Sequence, residues 1–325
     1  MLDCDSLVIG AGLAGLVAAL RLKGKTIVVS AGMGATAISS GVFSSPCRDP
    51  EVDRWFLGAM RESGCRYTEG CCLTDLVASK AGLVQETMDF HGEQPVVVSL
   101  DGAAPAGTRT LDIPRFRGRS CTEIAKLLDT DDGAVDLLSA ALEDVRAPAI
   151  LVPPVLGIAR AEVIHRSVEK VSGAKVFEYV TAPSVHGLRL LGALRKLADS
   201  RKDITVLDMS RVDGVEGVIR GHMGTKGKRE FTVDASKLIV ATGGPLTGLR
   251  MEGDRVIEPF TGQVVGDADS GFDFRFLADH PLMYHGIGLK PEVRAPCKTI
   301  RAAGAVAVGF GLYEALRTGY YAGSI

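Results

Sequence analysis

Three glycines near the start of the chain have the spacing that brings a backbone close to a phosphate group. Gly10, Gly12 and Gly15 form a Gly-x-Gly-x-x-Gly motif directly after the apolar segment Leu7–Ile9. In a strand–turn–helix, the first glycine permits the tight turn, the second admits a pyrophosphate and the third lets the helix pack closely on the strand. The helix N-terminus adds N–H donors and a partial positive charge. The motif, which includes Ala11, Leu13 and Ala14, therefore predicts a bound dinucleotide or flavin.

The residues after the second apolar segment lack the usual partner of a ribose. An acidic residue is typical at this place, because its carboxylate holds the ribose hydroxyls. Here Thr26–Val29 is followed by Ser30, Ala31 and Gly32, and no arginine follows directly to take a 2′-phosphate. A serine hydroxyl binds a ribose more weakly than a carboxylate does. The sequence thus predicts that Ser30 contacts the ribose and that adenosine binding is weakened.

A loop of small and hydroxyl-bearing residues follows and favours a flavin over a nicotinamide. It contains Thr36, Ser39, Ser40 and Gly41. Flavoproteins of the fumarate reductase and amino-acid oxidase type have a similar segment along the pyrophosphate and the flavin ring. The alternative is a mobile loop of glycine and serine without a ligand.

The elements that must position these residues recur late in the chain. Leu188–Ala198 has apolar residues at helical spacing, and Ile204–Leu207 is typical of a parallel core strand. Val215–Val233 alternates in polarity and is interrupted by glycines, as in antiparallel hairpins. Lys237–Val240 then leads into Ala241, Thr242 and Gly243, a strand end frequent in flavoproteins. The predicted fold is α/β, a Rossmann-type FAD/NAD(P)-binding three-layer domain with a β-meander.

The middle of the chain has a different pattern. Ala149–Pro154 and Lys175–Val180 are typical of strands, and Ala161–Val171 is typical of a helix. An inserted α/β cap explains this alternation. We therefore predict a flavin-binding domain made of residues 1–74 and 184–325, and a cap or substrate domain at 75–183.

Composition excludes several classes of protein. The 325 residues include 37 basic and 39 acidic ones, a net charge of −2, which argues against a general nucleic-acid-binding surface. The seven cysteines are an odd number without a secretory segment before them, which indicates a reducing cytoplasm. Cys71 and Cys72 have no second pair or nearby histidine, so we predict no metal site. No run reaches the roughly 18 apolar residues of a membrane span.

Three segments together resemble a family, the B-subunit family of the anaerobic, quinone-linked glycerol-3-phosphate dehydrogenases. They are Val8–Leu16 with Ile38–Gly41, then Ala182–Leu190, and Ile257–Pro259 with Ala303–Val306. The Pro-Ser-Val part of Ala182–Leu190 is the distinctive one. The resemblance adds Gly304 and Ala305 to the cofactor residues. Ala305 stands where FAD proteins place an aspartate on the ribityl chain, so the non-covalent flavin is predicted as FAD or FMN.

The resemblance implies oxidation of sn-glycerol 3-phosphate, a polyol phosphate, to dihydroxyacetone phosphate. The implied partners are a larger flavoprotein subunit and an iron–sulfur subunit that anchors the complex at the inner face of the membrane. This chain has no Cys-x-x-Cys-x-x-Cys motif, so the clusters would belong to a partner.

Such a reaction needs a base near the flavin and a cation for the phosphate. His285 and His186 are the candidate bases, and Arg189 is the candidate cation. The alternatives are a surface arginine, a helix-capping histidine and a structural His285. Two other functions stay open: a non-catalytic electron-relay or scaffold subunit that carries flavin, and a stand-alone FAD oxidoreductase of another hydroxy acid or a thiol.

Overall fold

The computed structural model describes residues 1–39, 43, 48–64, 95–100, 108–179, 185–215, 218–224, 229–243, 250–258, 262–267, 297–307 and 311–325. Its strands are β1 (Leu2–Ile9), β2 (Thr26–Val29), β3 (Val96–Ser99), β4 (Arg109–Thr110), β5 (Ala149–Val152), β6 (Lys175–Glu178), β7 (Ile204–Leu207), β8 (Ser210–Gly214), β9 (Ile219–Met223), β10 (Arg229–Val240), β11 (Arg250–Glu252), β12 (Arg255–Ile257), β13 (Val264–Asp267) and β14 (Thr299–Ala302). Its α-helices are α1 (Leu13–Arg21), α2 (Ala35–Ile38), α3 (Pro50–Ser63), α4 (Cys121–Thr130), α5 (Asp132–Glu143), α6 (Ala161–Ser172), α7 (Val185–Ser200) and α8 (Leu312–Ala322).

The chain divides into two compact units. The first comprises Met1–Thr36, Ser44–Ala59 and Leu194–Ile325, and the second comprises Ala37–Phe43 and Met60–Ala193. The division into residues 1–74 with 184–325 and residues 75–183 stays a prediction, as does the role of the inserted part as a cap.

The first unit is built on a seven-stranded sheet with the order β7-β2-β1-β10-β9-β8, in which β14 also pairs with β10. The strands β7, β2, β1, β10 and β14 are parallel, whereas β8, β9 and β10 form an antiparallel meander. The predicted α/β Rossmann-type fold with a β-meander is thereby confirmed. β11, β12 and β13 form a separate small antiparallel sheet.

The register of the parallel strands aligns their carboxyl ends. Ile9 pairs with Val29 and with Val240, Val29 pairs with Leu207, and Val240 pairs with Ala302. The residues that follow each strand therefore lie at one edge of the sheet. In open α/β sheets, ligands bind outside this edge.

Helix α1 packs against the sheet and against α8. Almost all side chains of α1 are small or branched and aliphatic, so the helix can be buried without removing polar side chains from water. Its buried residues include Leu13, Leu16 and Val17. A Cβ on Gly319 of α8 would lie 2.4 Å from the carbonyl oxygen of Ala14. The two helices approach so closely that this position in α8 requires glycine.

The second unit contains a four-stranded parallel sheet with the order β4-β3-β5-β6. Helices α4, α5 and α6 supply Ile124, Leu138 and Ile164 to its core, together with Ile150 of β5. α4 begins with a capping box in which Ser120 and Glu123 exchange hydrogen bonds. The strand and helix predicted at Ala149–Pro154 and Ala161–Val171 correspond to β5 and α6.

Candidate flavin-binding site

The glycine loop after β1 is the centre of the candidate site, and two of its glycines are required by the packing of the chain itself. Gly10 has a φ of +110°, and a Cβ there would lie 2.1 Å from the carbonyl oxygen of Ala241, at the end of β10. A Cβ on Gly15 would lie 1.9 Å from the carbonyl oxygen of Gly10. Both contacts are far below any van der Waals distance, so neither position admits another residue without a shift of the backbone.

Gly12 differs from its two neighbours in the motif. Among the residues that the structure describes, a Cβ there would meet only the Thr36 hydroxyl oxygen, at 3.4 Å, and the φ of −75° suits any residue. The described part of the protein therefore leaves room beside Gly12. That room is what a pyrophosphate needs if it is to approach the backbone.

The start of α1 provides the electrostatics for a phosphate. Its first turn contains no acidic residue, and the N–H groups of a first turn lack carbonyl partners within the helix. The N–H of Leu13 donates to the Thr36 hydroxyl at 3.0 Å. Thr36, which the sequence predicted to contact the cofactor, therefore lies at the N-terminus of α1. With the room at Gly12, this arrangement fits the pyrophosphate of a dinucleotide.

Ser30 lies at the end of β2, and its hydroxyl group is directed to the local backbone. It donates to the carbonyl of Gly32 at 3.4 Å, and Ser30 is buried, whereas Ala31 and Gly32 are exposed. The backbone of Ser30 is tied to the neighbouring chain segment on both sides: its N–H donates to Leu207, and its carbonyl accepts from Ser210. The contact of Ser30 with a ribose stays a prediction.

The segments after β10 and β14 meet the glycine loop and α1. The N–H of Ala241 donates to Ile9 at 2.8 Å, and Thr242 and Gly243 follow, both partly exposed. Gly304 has a φ of +78°, and a Cβ there would lie 3.1 Å from the Cβ of Ala14. Its N–H donates to the Thr318 hydroxyl at 2.8 Å. The structure thus brings Gly304 beside α1, although the two lie near opposite ends of the sequence, and the partly buried Ala305 follows it.

Some predicted residues are not placed in this arrangement. Ser39 follows α2 and is partly buried. Ser40, Gly41 and His285 lie outside the described residues, as do residues 182–184 of the distinctive segment.

Arg189 forms a buried ion pair in the second unit. Its guanidinium donates through both terminal nitrogens to Glu178, one of them to Oε1 at 2.9 Å, and through Nε to the carbonyl of Gly157 at 2.6 Å. The Arg189 side chain is 12% exposed and that of Glu178 is 3% exposed. The alternative prediction, an arginine on the surface of an amphipathic helix, is therefore wrong. The side chain of Arg189 is buried, and the negative charge of Glu178 offsets the free-energy cost of burying the cation.

Glu178 and His186 complete this cluster. Burial alone would raise the pKa of Glu178, but the charge and hydrogen bonds of Arg189, the nearby His186 and the Leu156 N–H bring the pKa down to about 2. Nδ1 of His186, which is buried, lies 3.4 Å from Nη1 of Arg189. Sequence reasoning missed Glu178, and the signal for it was a carboxylate at the end of β6, directly after Val176 and Phe177.

The sequence profile of the FAD binding domain family matches residues 5–271, most of the chain. The chain belongs to this family.

FAD is accordingly the cofactor, which resolves the choice between FAD and FMN. The FAD binding domain family comprises flavin-dependent oxidoreductases. In this member, the room at Gly12 and the first-turn N–H groups of α1 would hold the pyrophosphate. The glycine loop predicted from sequence is the part of the site that the geometry describes best.

Solved structures that this chain matches include E. coli quinol fumarate reductase FrdA, with 14% identity and a TM-score of 0.31. The match covers 75% of this chain and 33% of that one. The 3-ketosteroid delta1-dehydrogenase from Sterolibacterium denitrificans has 16% identity and a TM-score of 0.31, over 75% of this chain and 48% of that one. The chain spans about a third to a half of the length of these proteins. Among curated proteins, none matches this chain.

Two further properties concern the described residues only. No group of histidine, cysteine, aspartate or glutamate side chains among them could hold a metal ion. In the same part of the chain, no helix is long and apolar enough to cross a bilayer.

Proposed function

We propose that this chain is the FAD-bearing subunit of a quinone-linked glycerol-3-phosphate dehydrogenase complex. Two observations support the proposal. One is the room beside Gly12, which suits a pyrophosphate, and the other is the resemblance of three segments to the B-subunit family of the anaerobic enzyme. The partners are a larger flavoprotein subunit and an iron–sulfur subunit, through which the complex lies at the inner face of the membrane.

Within that complex we assign this subunit the relay of electrons rather than the oxidation of the alcohol. When bound, FAD accepts two electrons and can pass them on singly to an iron–sulfur cluster. The residues of this chain bind and orient the cofactor through the glycine loop and the start of α1. The single observation that carries the relay role is Arg189, whose guanidinium already has Glu178 and Gly157 as partners.

The second candidate is oxidation of glycerol 3-phosphate at this subunit. It requires a cation for the phosphate and a base for the hydroxyl proton. His186 lies beside Arg189, so a rearranged cluster would supply both groups. This hypothesis needs Arg189 to leave a buried carboxylate, which costs several kcal/mol.

An anaerobic reduction experiment separates the two roles. The FAD-loaded chain is mixed with sn-glycerol 3-phosphate, and bleaching of the flavin band is followed, with dithionite as the control for reducible flavin. We expect dithionite to bleach the isolated chain, and glycerol 3-phosphate to bleach it only when the larger subunit is present. Rapid bleaching of the isolated chain by the substrate would overturn the relay role. Bleaching by another hydroxy acid alone would favour a stand-alone oxidoreductase.

Steady-state kinetics of the complex give a second test. The double variant Arg189→Met with Glu178→Gln removes both charges of the pair, so no ion is left buried alone. A relay subunit should leave the apparent KM for glycerol 3-phosphate unchanged. If Arg189 binds the substrate phosphate, KM should instead rise by about one to two orders of magnitude. The exposed pair Glu162 and Arg166 provides a matched control, as Glu162→Gln with Arg166→Met.

A further inference from the structure

The end of β2 lacks a carboxylate, but the neighbouring strand supplies one at the same level. Val29 of β2 pairs with Leu207 of β7 in the parallel register, so the next residues, Ser30 and Asp208, lie side by side. The N–H of Ser30 donates to Leu207 at 2.9 Å, and the N–H of Ser210 donates to Ser30 at 2.8 Å. These bonds fix the position of Asp208 relative to the end of β2. Adjacent strands are about 4.8 Å apart, a distance that an aspartate side chain and a ribose can span.

Asp208 is the first residue of the turn that follows β7, so the alternation of side chains along a strand does not set its direction. Its contacts with Arg195 of α7 set that direction instead.

Asp208 is oriented in advance and still open to a ligand. Arg195 of α7 donates to Oδ1 at 2.8 Å and to Oδ2 at 2.9 Å, and its Nε binds Asp199 at 2.8 Å. A carboxylate has about four lone-pair positions, so this fork leaves each oxygen able to accept a second hydrogen bond. The Asp208 side chain is 57% exposed.

The residue after Asp208 shows that this turn is held in an unusual conformation. Met209 has a φ of +50°, which is uncommon for a residue other than glycine, and it is 54% exposed. Its carbonyl accepts from the Gly224 N–H at 2.8 Å. Strained, exposed backbone that the surroundings fix in place is frequent at ligand sites.

We propose that Asp208, positioned by Arg195, accepts hydrogen bonds from the ribose hydroxyls of the adenosine half of FAD. It would replace the acidic residue that the end of β2 lacks, one strand further along the sheet. The inference rests on FAD as the cofactor and is independent of glycerol 3-phosphate as the substrate.

The test compares FAD with an FAD analogue whose adenosine ribose lacks the 2′ and 3′ hydroxyls. Dissociation constants are measured by flavin fluorescence for the wild-type chain and for Asp208→Asn. We expect the wild type to bind FAD between about 10 and 100 times more tightly than the analogue, the range for hydrogen bonds to a charged group. Asp208→Asn should lose most of that ratio, and Asp199→Asn, which removes the other partner of Arg195, should keep it.

The measurements test the role of Asp208 separately from the identity of the cofactor. The ratio is taken within one variant, so a change in overall stability does not affect it. A ratio that Asp208→Asn leaves unchanged, or a wild type that does not distinguish the two compounds, would refute the role of Asp208. Failure of the wild type to bind FAD would refute the cofactor itself, and with it the proposed function.

Discussion

At the scale of single residues, the three glycines of the loop have different physical reasons to be glycine. Gly10 and Gly15 are fixed by contacts within the protein, with the carbonyl oxygens of Ala241 and Gly10. Gly12 has only an ordinary contact within the described residues, with the Thr36 hydroxyl. The first two are therefore needed for folding, and we expect Gly12 to be needed for the ligand.

This difference predicts that replacement by alanine weakens FAD binding at Gly12 and protein stability at Gly10. Gly12→Ala should change the free energy of unfolding by less than about 1 kcal/mol, as is usual where no contact is lost. The same variant should bind FAD at least about tenfold more weakly, because the methyl group occupies the room for the pyrophosphate. Urea denaturation and flavin fluorescence measure the two effects.

Gly10→Ala is the matched control within the same loop. Its Cβ would meet the Ala241 carbonyl, and its φ is unfavourable for alanine, so the apoprotein itself should be strongly destabilised. Full FAD content in Gly12→Ala would show that the pyrophosphate does not lie at this loop.

At the scale of elements, the Glu178 and Arg189 pair ties β6 to the first turns of α7 and to the turn at Gly157. The Leu156 N–H adds a hydrogen bond of 2.7 Å to Glu178. Removing one partner of a buried pair leaves an uncompensated charge and costs about 3–5 kcal/mol. The pair therefore links these three elements by charge-assisted hydrogen bonds.

We expect Glu178→Gln to lower the free energy of unfolding at neutral pH by about 3 kcal/mol. The folded pKa of Glu178, about 2, lies below its ordinary value of 4.5. Its contribution is therefore complete above pH 4.5 and is lost as the pH falls from there towards 2. Urea denaturation of the wild type at a series of pH values should show this loss, and in Glu178→Gln that part of the pH dependence should be missing.

Glu162→Gln is the control for this effect, since Glu162 forms an exposed pair with Arg166 one turn along α6. Its cost should stay below about 0.5 kcal/mol. If Glu178→Gln and Glu162→Gln lowered the free energy of unfolding equally, the buried pair would contribute no more to stability than the exposed one.

At the scale of the whole molecule, the glycine loop and the segments that meet it belong to the first unit, where the carboxyl ends of β1, β2, β7, β10 and β14 are aligned. A ligand that binds only the folded state adds about 2.7 kcal/mol of stability at one hundred times its Kd. That stabilisation should be concentrated where the ligand makes its contacts.

Hydrogen exchange with and without FAD measures this distribution. We expect the largest slowing at the start of α1 and in β1, β2 and β7, and a smaller effect in β5 and β6 of the second unit. Gly12→Ala at the same FAD concentration should lose most of the slowing. Uniform slowing throughout both units would contradict a cofactor site centred on the glycine loop of the first one.

The sequence by itself determined the parts of this protein whose cause is local. The segment from β1 through the glycine loop and α1 to β2 could be predicted from the first 29 residues, because strand, turn and helix are each specified by neighbouring residue types. The meander and the strand that ends at Val240 followed from alternation and glycine placement in the same way. These features sufficed for the fold and for a flavin site.

Only the tertiary structure decided which distant residues meet. It placed Asp208 beside Ser30, Gly304 beside Ala14, and Glu178 against Arg189. Each of these contacts depends on the register of parallel strands or on the packing of a helix, and neither is encoded in the spacing of residues along the chain. From the sequence alone, a buried charged residue can be expected to have a partner of opposite charge. Which residue that partner is depends on the geometry of the fold.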